Sequence, residues 1–185
     1  MEGGDHRGEM RGLRQLCRSL SEQGDRAQEL HEGADRIAAT RFPGGDILTG
    51  KLNIVAFVCE NHAFSALRAI SVSGESLPES FHIIKLPCTG RLETTHMLDA
   101  LRAGADGIAV IGCLEENCYH DVGSMLARGR VERVKEILKD IQIEPDRVEM
   151  FNVASVSSSL LLSRLRKFEQ KIGSLPATPF KGAMR

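Results

Sequence analysis

The sequence predicts an α/β fold: an open parallel sheet of about four strands with helices on both faces. Two observations carry that expectation. From Leu52 onward, short apolar runs alternate with stretches of helical periodicity, the sequence form of βαβ units. One of those runs, Gly107 to Ile111, is apolar almost without interruption, as a strand buried on both faces must be.

The elements follow in order. Leu52 to Val58 is the first expected strand and Ala63 to Ser73 the first helix of the domain. Phe81 to Leu86 is the second strand, closed by Pro87 because proline has no N–H to give a ladder. Thr94 to Ala103 reads as a helix and Gly107 to Ile111 as the third strand. Val122 to Ile141 is then a long helix with Val131, Val134, Ile137 and Leu138 on one face. Arg147 to Val153 makes a fourth strand, and Ser155 to Lys171, carrying Leu160, Leu161, Leu165 and Phe168, closes the domain as a helix.

Residues 1–50 have a different character, rich in Arg, Glu, Gly and Gln, with apolar positions at Met10, Leu13, Leu16 and Leu20 and again at Leu30, Ala34 and Ile37. Two short amphipathic helices fit that spacing, separated at Gly24-Asp25. Phe42-Pro43-Gly44-Gly45-Asp46 reads as a linker. The expected organisation is therefore an arm and linker over 1–50, an α/β domain over 51–173, and an extended tail over 174–185. Short helices gain order chiefly by burial, so the arm and tail are expected to dock the chain into a larger assembly, on a partner subunit in preference to the parent domain, with a partly disordered arm as the alternative.

With 185 residues, 42% of them hydrophobic, 26% charged and a formal net charge of -1, the chain has the composition of an ordinary folded protein. Neither disorder nor a nucleic-acid partner is indicated. The longest apolar runs, such as Ile108 to Cys113, are far shorter than the roughly 20 residues that cross a bilayer, so no membrane span is expected. The opening Met1-Glu2-Gly3-Gly4-Asp5 lacks a basic and then apolar leader, which makes the cytoplasm the expected location.

Five cysteines, Cys17, Cys59, Cys88, Cys113 and Cys118, are an odd set in a chain large enough to fold without staples, which argues against a disulfide framework. Cys59, Cys88 and Cys113 follow the first three expected strands, and Cys118 shares a loop with Cys113. Ligands of open parallel sheets sit beyond the carboxyl ends of the strands, so the four should meet at one edge. Their spacing is C-x28-C-x24-C-x4-C. Cys17 falls on an arm helix and reads as a small buried hydrophobe.

Four thiolates suit zinc or an iron–sulfur cluster. Zinc knuckles gather ligands in close pairs, whereas only Cys113 and Cys118 are close here, and the x4 spacing also occurs in plant-type [2Fe–2S] binding. That favours the cluster. Two other uses of the same residues stand beside it: a thiol–disulfide or sulfur-transfer enzyme cycling Cys113 and Cys118, and a zinc scaffold.

The run Ala100-Leu-Arg-Ala-Gly-Ala-Asp-Gly-Ile-Ala-Val-Ile-Gly-Cys113, followed by Cys118-Tyr-His120, resembles the delta subunit of methyl-viologen-reducing hydrogenase. Leu86-Pro-Cys-Thr-Gly-Arg91, Ala127 to Leu138 and Ile143 to Val148 resemble the same family in register and spacing, and the likeness covers roughly residues 52–172. The resemblance implies a flavodoxin-like electron-transfer subunit. It would hold a [2Fe–2S] cluster on Cys59, Cys88, Cys113 and Cys118 and have no substrate turnover of its own. The implied partners are a flavin-containing heterodisulfide reductase-like subunit and a second redox subunit, such as a hydrogenase or formate dehydrogenase, in an anaerobic and electron-bifurcating type of complex.

One departure is visible. Where the family commonly has Cys-x-x-Cys after the first strand, this chain reads Cys59-Glu60-Asn61-His62, so His62 is expected as a neighbour of the cluster, with direct ligation as the alternative. Gly90, Gly112 and Gly123 would let backbone approach sulfur or simply serve turns. Arg91, Tyr119 and His120 read as loop residues near the same edge, and Glu115-Glu116 as a solvated acidic corner. His82 and His96 belong to no visible constellation. No Gly-x-Gly-x-x-Gly and no Walker loop follows any strand.

Overall fold

The structure, a computed structural model, describes residues 52–180. The arm over 1–50, with Cys17 and its two expected helices, and the end of the tail lie outside the described residues. Four strands, β1 (Ile54–Cys59), β2 (Phe81–Leu86), β3 (Gly107–Cys113) and β4 (Val148–Val153), alternate with four helices, α1 (His62–Val72), α2 (Thr94–Arg102), α3 (Gly123–Asp140) and α4 (Ser158–Ser174). The sheet is all parallel in the order β2-β1-β3-β4, the arrangement of a flavodoxin-like fold.

The order explains the layering. From β1 the chain moves outward to β2, then crosses back over β1 to reach β3 and continues to β4. Right-handed crossovers in opposite directions put their helices on opposite faces. Accordingly α1 packs with α4, and α2 packs with α3. Ala63, Ala66, Leu67 and Ile70 of α1 join Leu161, Leu165, Phe168 and Ile172 of α4 over Ile54, Ala56, Ala109 and Ile111. Met97 and Leu101 of α2 and Val131, Val134 and Leu138 of α3 are buried as well. They form the other layer, on the side to which the alternate strand residues Val55, Phe57, Ile108 and Val110 point.

Burial separates central from edge strands. Every residue of β1 and β3 is buried, whereas β2 and β4 bury only part of each strand. Ile83 on β2 is among the exposed large hydrophobics.

The expected boundaries shift by more than one residue in three places. β1 begins at Ile54 and includes Cys59, because Cys59 is still in register with Leu86. β3 runs on to Cys113, in register with Val153. α4 starts at Ser158 and ends at Ser174, because Ala154 to Ser157 form a turn in which the Ser157 N–H donates to the Ala154 carbonyl at 3.1 Å.

The described part of the expected tail rests on its own domain. Leu175 packs against the core and Thr178 is buried. Buried Arg147 donates from Nη2 to the Pro176 carbonyl (2.6 Å) and from Nη1 to the Asp106 carbonyl (3.0 Å), and it pairs with Glu144. Among the described residues, no helix is long and apolar enough to cross a membrane.

Candidate metal centre

The reversal of strand order lies between β1 and β3, and a crevice opens there at the carboxyl ends of the strands. Cys59 ends β1 and Cys113 ends β3, one on each side of that crevice. Their Sγ atoms are 3.6 Å apart. Cys88 follows β2 after Pro87 and begins a 3-10 turn over Thr89–Arg91. Cys118 follows a second 3-10 turn, Glu115–Asn117, and precedes α3.

Cys88 and Cys118 make the second pair. Their side chains interact, and both sulfurs lie against Gly123 at the start of α3. A Cβ on Gly123 would collide with Cys88 Sγ and stand 3.3 Å from Cys118 Sγ. Gly90 meets the same residue from the other side, since its own Cβ would come within 2.7 Å of Gly123 Cα. The two glycines therefore permit the backbone approach that brings the Cys88 turn onto α3, one of the two roles open to them from the sequence. Arg130 of α3 secures the turn, donating to the Gly90 carbonyl at 2.5 Å and pairing with Glu93 at 2.8 Å.

The thiols are not electrostatically alike. Burial pushes Cys59 up to about 12; the neighbouring Cys113 adds to the rise, while the Asn61 N–H and side chain oppose it. Burial also raises Cys88, against the Gly90 N–H 3.3 Å from its sulfur. Cys118 moves the other way. Burial alone would raise it, but N–H groups of His120, Ser124 and Gly123 and the Ser124 side chain face its sulfur and together favour the thiolate. An anionic sulfur fits the first turn of α3, where N–H groups have no partner within the helix.

Nearby polar groups hold this edge. Asn152 of β4 donates to the Cys113 carbonyl at 2.6 Å and accepts from Arg128 at 2.9 Å, and Arg128 also pairs with Glu115. Glu115 is thus a structural partner of α3. Asn61 Nδ2 points to Cys59 Sγ at 3.7 Å and to the Pro87 carbonyl at 3.3 Å. His62 is the first residue of α1 and half-buried, and it is Asn61 that supplies the donors to Cys59. His96 accepts from the Glu93 N–H at 3.0 Å in a capping box that starts α2. Arg91 is exposed, and the rings of Tyr119 and His120 meet edge to face at 5.1 Å.

The donor set can be tested against the two metal groups that the sequence leaves open. Four sulfurs about 2.3 Å from one zinc would stand roughly 3.8 Å from one another. The Cys59–Cys113 separation matches one such edge. Among the described residues, however, no three His, Cys, Asp or Glu side chains gather as the ligands of one ion. The thiols come as two pairs, and a [2Fe–2S] cluster held by cysteines alone takes two thiolates on each iron. Two such pairs fit the donor set of a two-iron cluster.

Comparison with known proteins agrees with this architecture. The family model described as "Methyl-viologen-reducing hydrogenase, delta subunit" matches residues 54–176. An iron–sulfur subunit of the F420-non-reducing hydrogenase vhu of Methanocaldococcus jannaschii is 29% identical over 128 residues, covering 69% of this chain and 96% of that protein. Its counterpart in Methanococcus maripaludis is 30% identical over 128 residues, with the same coverage of 69% and 96%. One subunit of the ferredoxin:CoB-CoM heterodisulfide reductase of Methanosarcina mazei is 26% identical over 119 residues, 64% of this chain but 15% of that longer protein. With a match that spans the whole sheet and all four cysteines of its edge, the chain belongs to the family of the methyl-viologen-reducing hydrogenase delta subunit.

Proposed function

We propose that this chain is an electron-transfer subunit that carries one [2Fe–2S] cluster on Cys59, Cys88, Cys113 and Cys118. The observation that carries the reading is the pairing of the four thiols, Cys59 with Cys113 and Cys88 with Cys118, at the switch point of the sheet. The names of the relatives, iron–sulfur subunits of hydrogenases, support the class of cofactor. Such a cluster supplies a one-electron carrier. The protein fixes its position, shields it and surrounds its sulfurs with N–H donors from Asn61, Gly90, His120, Gly123 and Ser124.

The partner we propose is a flavin-containing subunit of the heterodisulfide reductase type, with a second redox subunit on the other side of the relay. Two observations support it. A domain similar to this chain makes up part of one heterodisulfide reductase subunit. Tyr119, Val122, Met125 and Leu126, which follow Cys118 in sequence, are all exposed beside the centre. Contiguous exposed apolar side chains mark a docking surface.

The thiol-enzyme alternative used Cys113 with Cys118, but here the near partner of Cys113 is Cys59. Colour decides between the readings. Purified without air, the chain should be brown, with about two irons and two sulfides per chain. A colourless protein that binds zinc, or one that turns over a small disulfide without iron, would overturn the proposal.

A further inference from the structure

Two buried hydroxyls stand near the centre: Thr89 Oγ1 has no hydrogen-bond partner, and Ser124 Oγ has no oxygen or nitrogen partner and faces the Cys118 sulfur. Ser124 is 0% and Thr89 1% exposed, so water does not satisfy them by exposure. Leaving a buried hydroxyl unpaired is costly, and native structures tolerate it where another group completes the site. Neither hydroxyl is bonded to its local backbone.

Both hydroxyls lead to the same spot. A Cβ placed on Gly112, the residue before Cys113, would lie 3.1 Å from Thr89 Oγ1 and 3.2 Å from Ser124 Oγ. Glycine thus leaves a gap bounded by the two oxygens at the crevice. Thr89 immediately follows Cys88, and the Ser124 side chain is one of the groups that face Cys118. Ser124 is thus tied through its side chain to Cys118, and Thr89 through the chain to Cys88.

We propose that Ser124 and Thr89 donate hydrogen bonds to the sulfur atoms of the cluster and so raise its reduction potential. The inference rests on the cluster reading given above. Reduction adds one electron to the cluster, and its sulfurs become stronger acceptors. A fixed O–H donor then stabilises the reduced form more than the oxidised one. In a site from which water is excluded, no solvent molecule replaces the lost donor when the hydroxyl is removed. These two residues act on the cluster through its sulfurs and are not ligands of iron.

The experiment uses the full chain purified anaerobically, with Ser124→Ala, Thr89→Val and the conservative Thr89→Ser as variants. Iron and sulfide contents are measured first, then the midpoint potential by a spectroscopic titration with dithionite. Cluster content should equal the wild type in all three. Ser124→Ala and Thr89→Val should each lower the ratio of reduced to oxidised cluster about three- to tenfold at a fixed potential. A tenfold change corresponds to about 59 mV for a one-electron couple. Thr89→Ser, which keeps the hydroxyl, should titrate with the wild type. Unchanged potentials in Ser124→Ala and Thr89→Val with clusters intact would overturn the proposal, as would an equal drop in Thr89→Ser. A wild-type chain without iron and sulfide would instead overturn the cluster reading itself.

Discussion

The sulfurs of Cys59 and Cys113 stand 3.6 Å apart although 54 positions separate them in the chain. They meet because β1 and β3 are hydrogen-bonded neighbours and both end at the crevice where the strand order reverses. Single Cys→Ser variants should therefore divide sharply. Serine at Cys59, Cys88, Cys113 or Cys118 should remove the visible absorption and most of the iron, and Cys17→Ser should leave both as in the wild type. Retention of a full complement of iron by Cys88→Ser would remove that residue from the ligand set.

Gly123 and Gly129 both lie in α3 and should respond to alanine in opposite ways. A Cβ at Gly123 would drive into Cys88 Sγ, so Gly123→Ala should cost about 1–3 kcal/mol of stability and lower the iron content. Nothing lies within 4 Å of a Cβ at Gly129, where alanine should stabilise the helix by about 0.5–1 kcal/mol. Denaturant unfolding of the two iron-free variants reads both. Equal midpoints would mean that the Gly90–Gly123 approach does not position the Cys88 turn.

Much of this architecture was legible because apolar runs are local signals. A continuous buried run identified β3, and cysteines at the ends of three such runs pointed to the edge where the thiols meet. The cysteines themselves belong to the strands, since the ladder pairs Cys59 with Leu86 and Cys113 with Val153, a matter of partners and not of composition. Asn61, Ser124, Arg130 and Asn152 carried no local signal. Arg130 acts on a carbonyl 40 positions away and Asn152 on one 39 away, contacts that exist only once α3 and β4 have packed. His62 drew attention by chemistry and sequence position, yet Asn61 holds the donors that face Cys59.

Glu144 provides a pH-dependent test at the opposite edge of the sheet. Its own N–H, the largest influence, together with the hydrogen bond and charge of Arg147 holds its carboxyl below the usual value of 4.5, against the opposing effect of burial. Because the folded state lowers this value, the resulting stability is present above about pH 4.5 and is lost as pH falls through the folded value. Glu144→Gln should thus be less stable than the wild type at pH 7 and converge with it in acid. Denaturant midpoints at pH 7 and pH 3 check this. A constant difference across that range would show that the carboxylate charge contributes nothing to the Arg147 contact.

The surface that follows Cys118 should govern assembly without governing the cluster. Val122 (49% exposed) and Met125 (55%) flank the start of α3, beside Tyr119 and Leu126. Apolar side chains left in water at this density lower the free energy most when a partner covers them, and a charge placed among them leaves that charge desolvated in the complex. Val122→Glu and Met125→Glu should each weaken association with the proposed flavin-containing partner at least about tenfold, the scale of one lost interface anchor. Val72, 88% exposed at the far end of α1, gives the control, because α1 runs back from the centre toward the opposite edge of the sheet. Val72→Glu should bind as the wild type does. All three variants should keep their iron, sulfide and midpoint potential, which separates a docking effect from damage to the centre. Association as tight as the wild type in both α3 variants would place the partner on some other face of the domain.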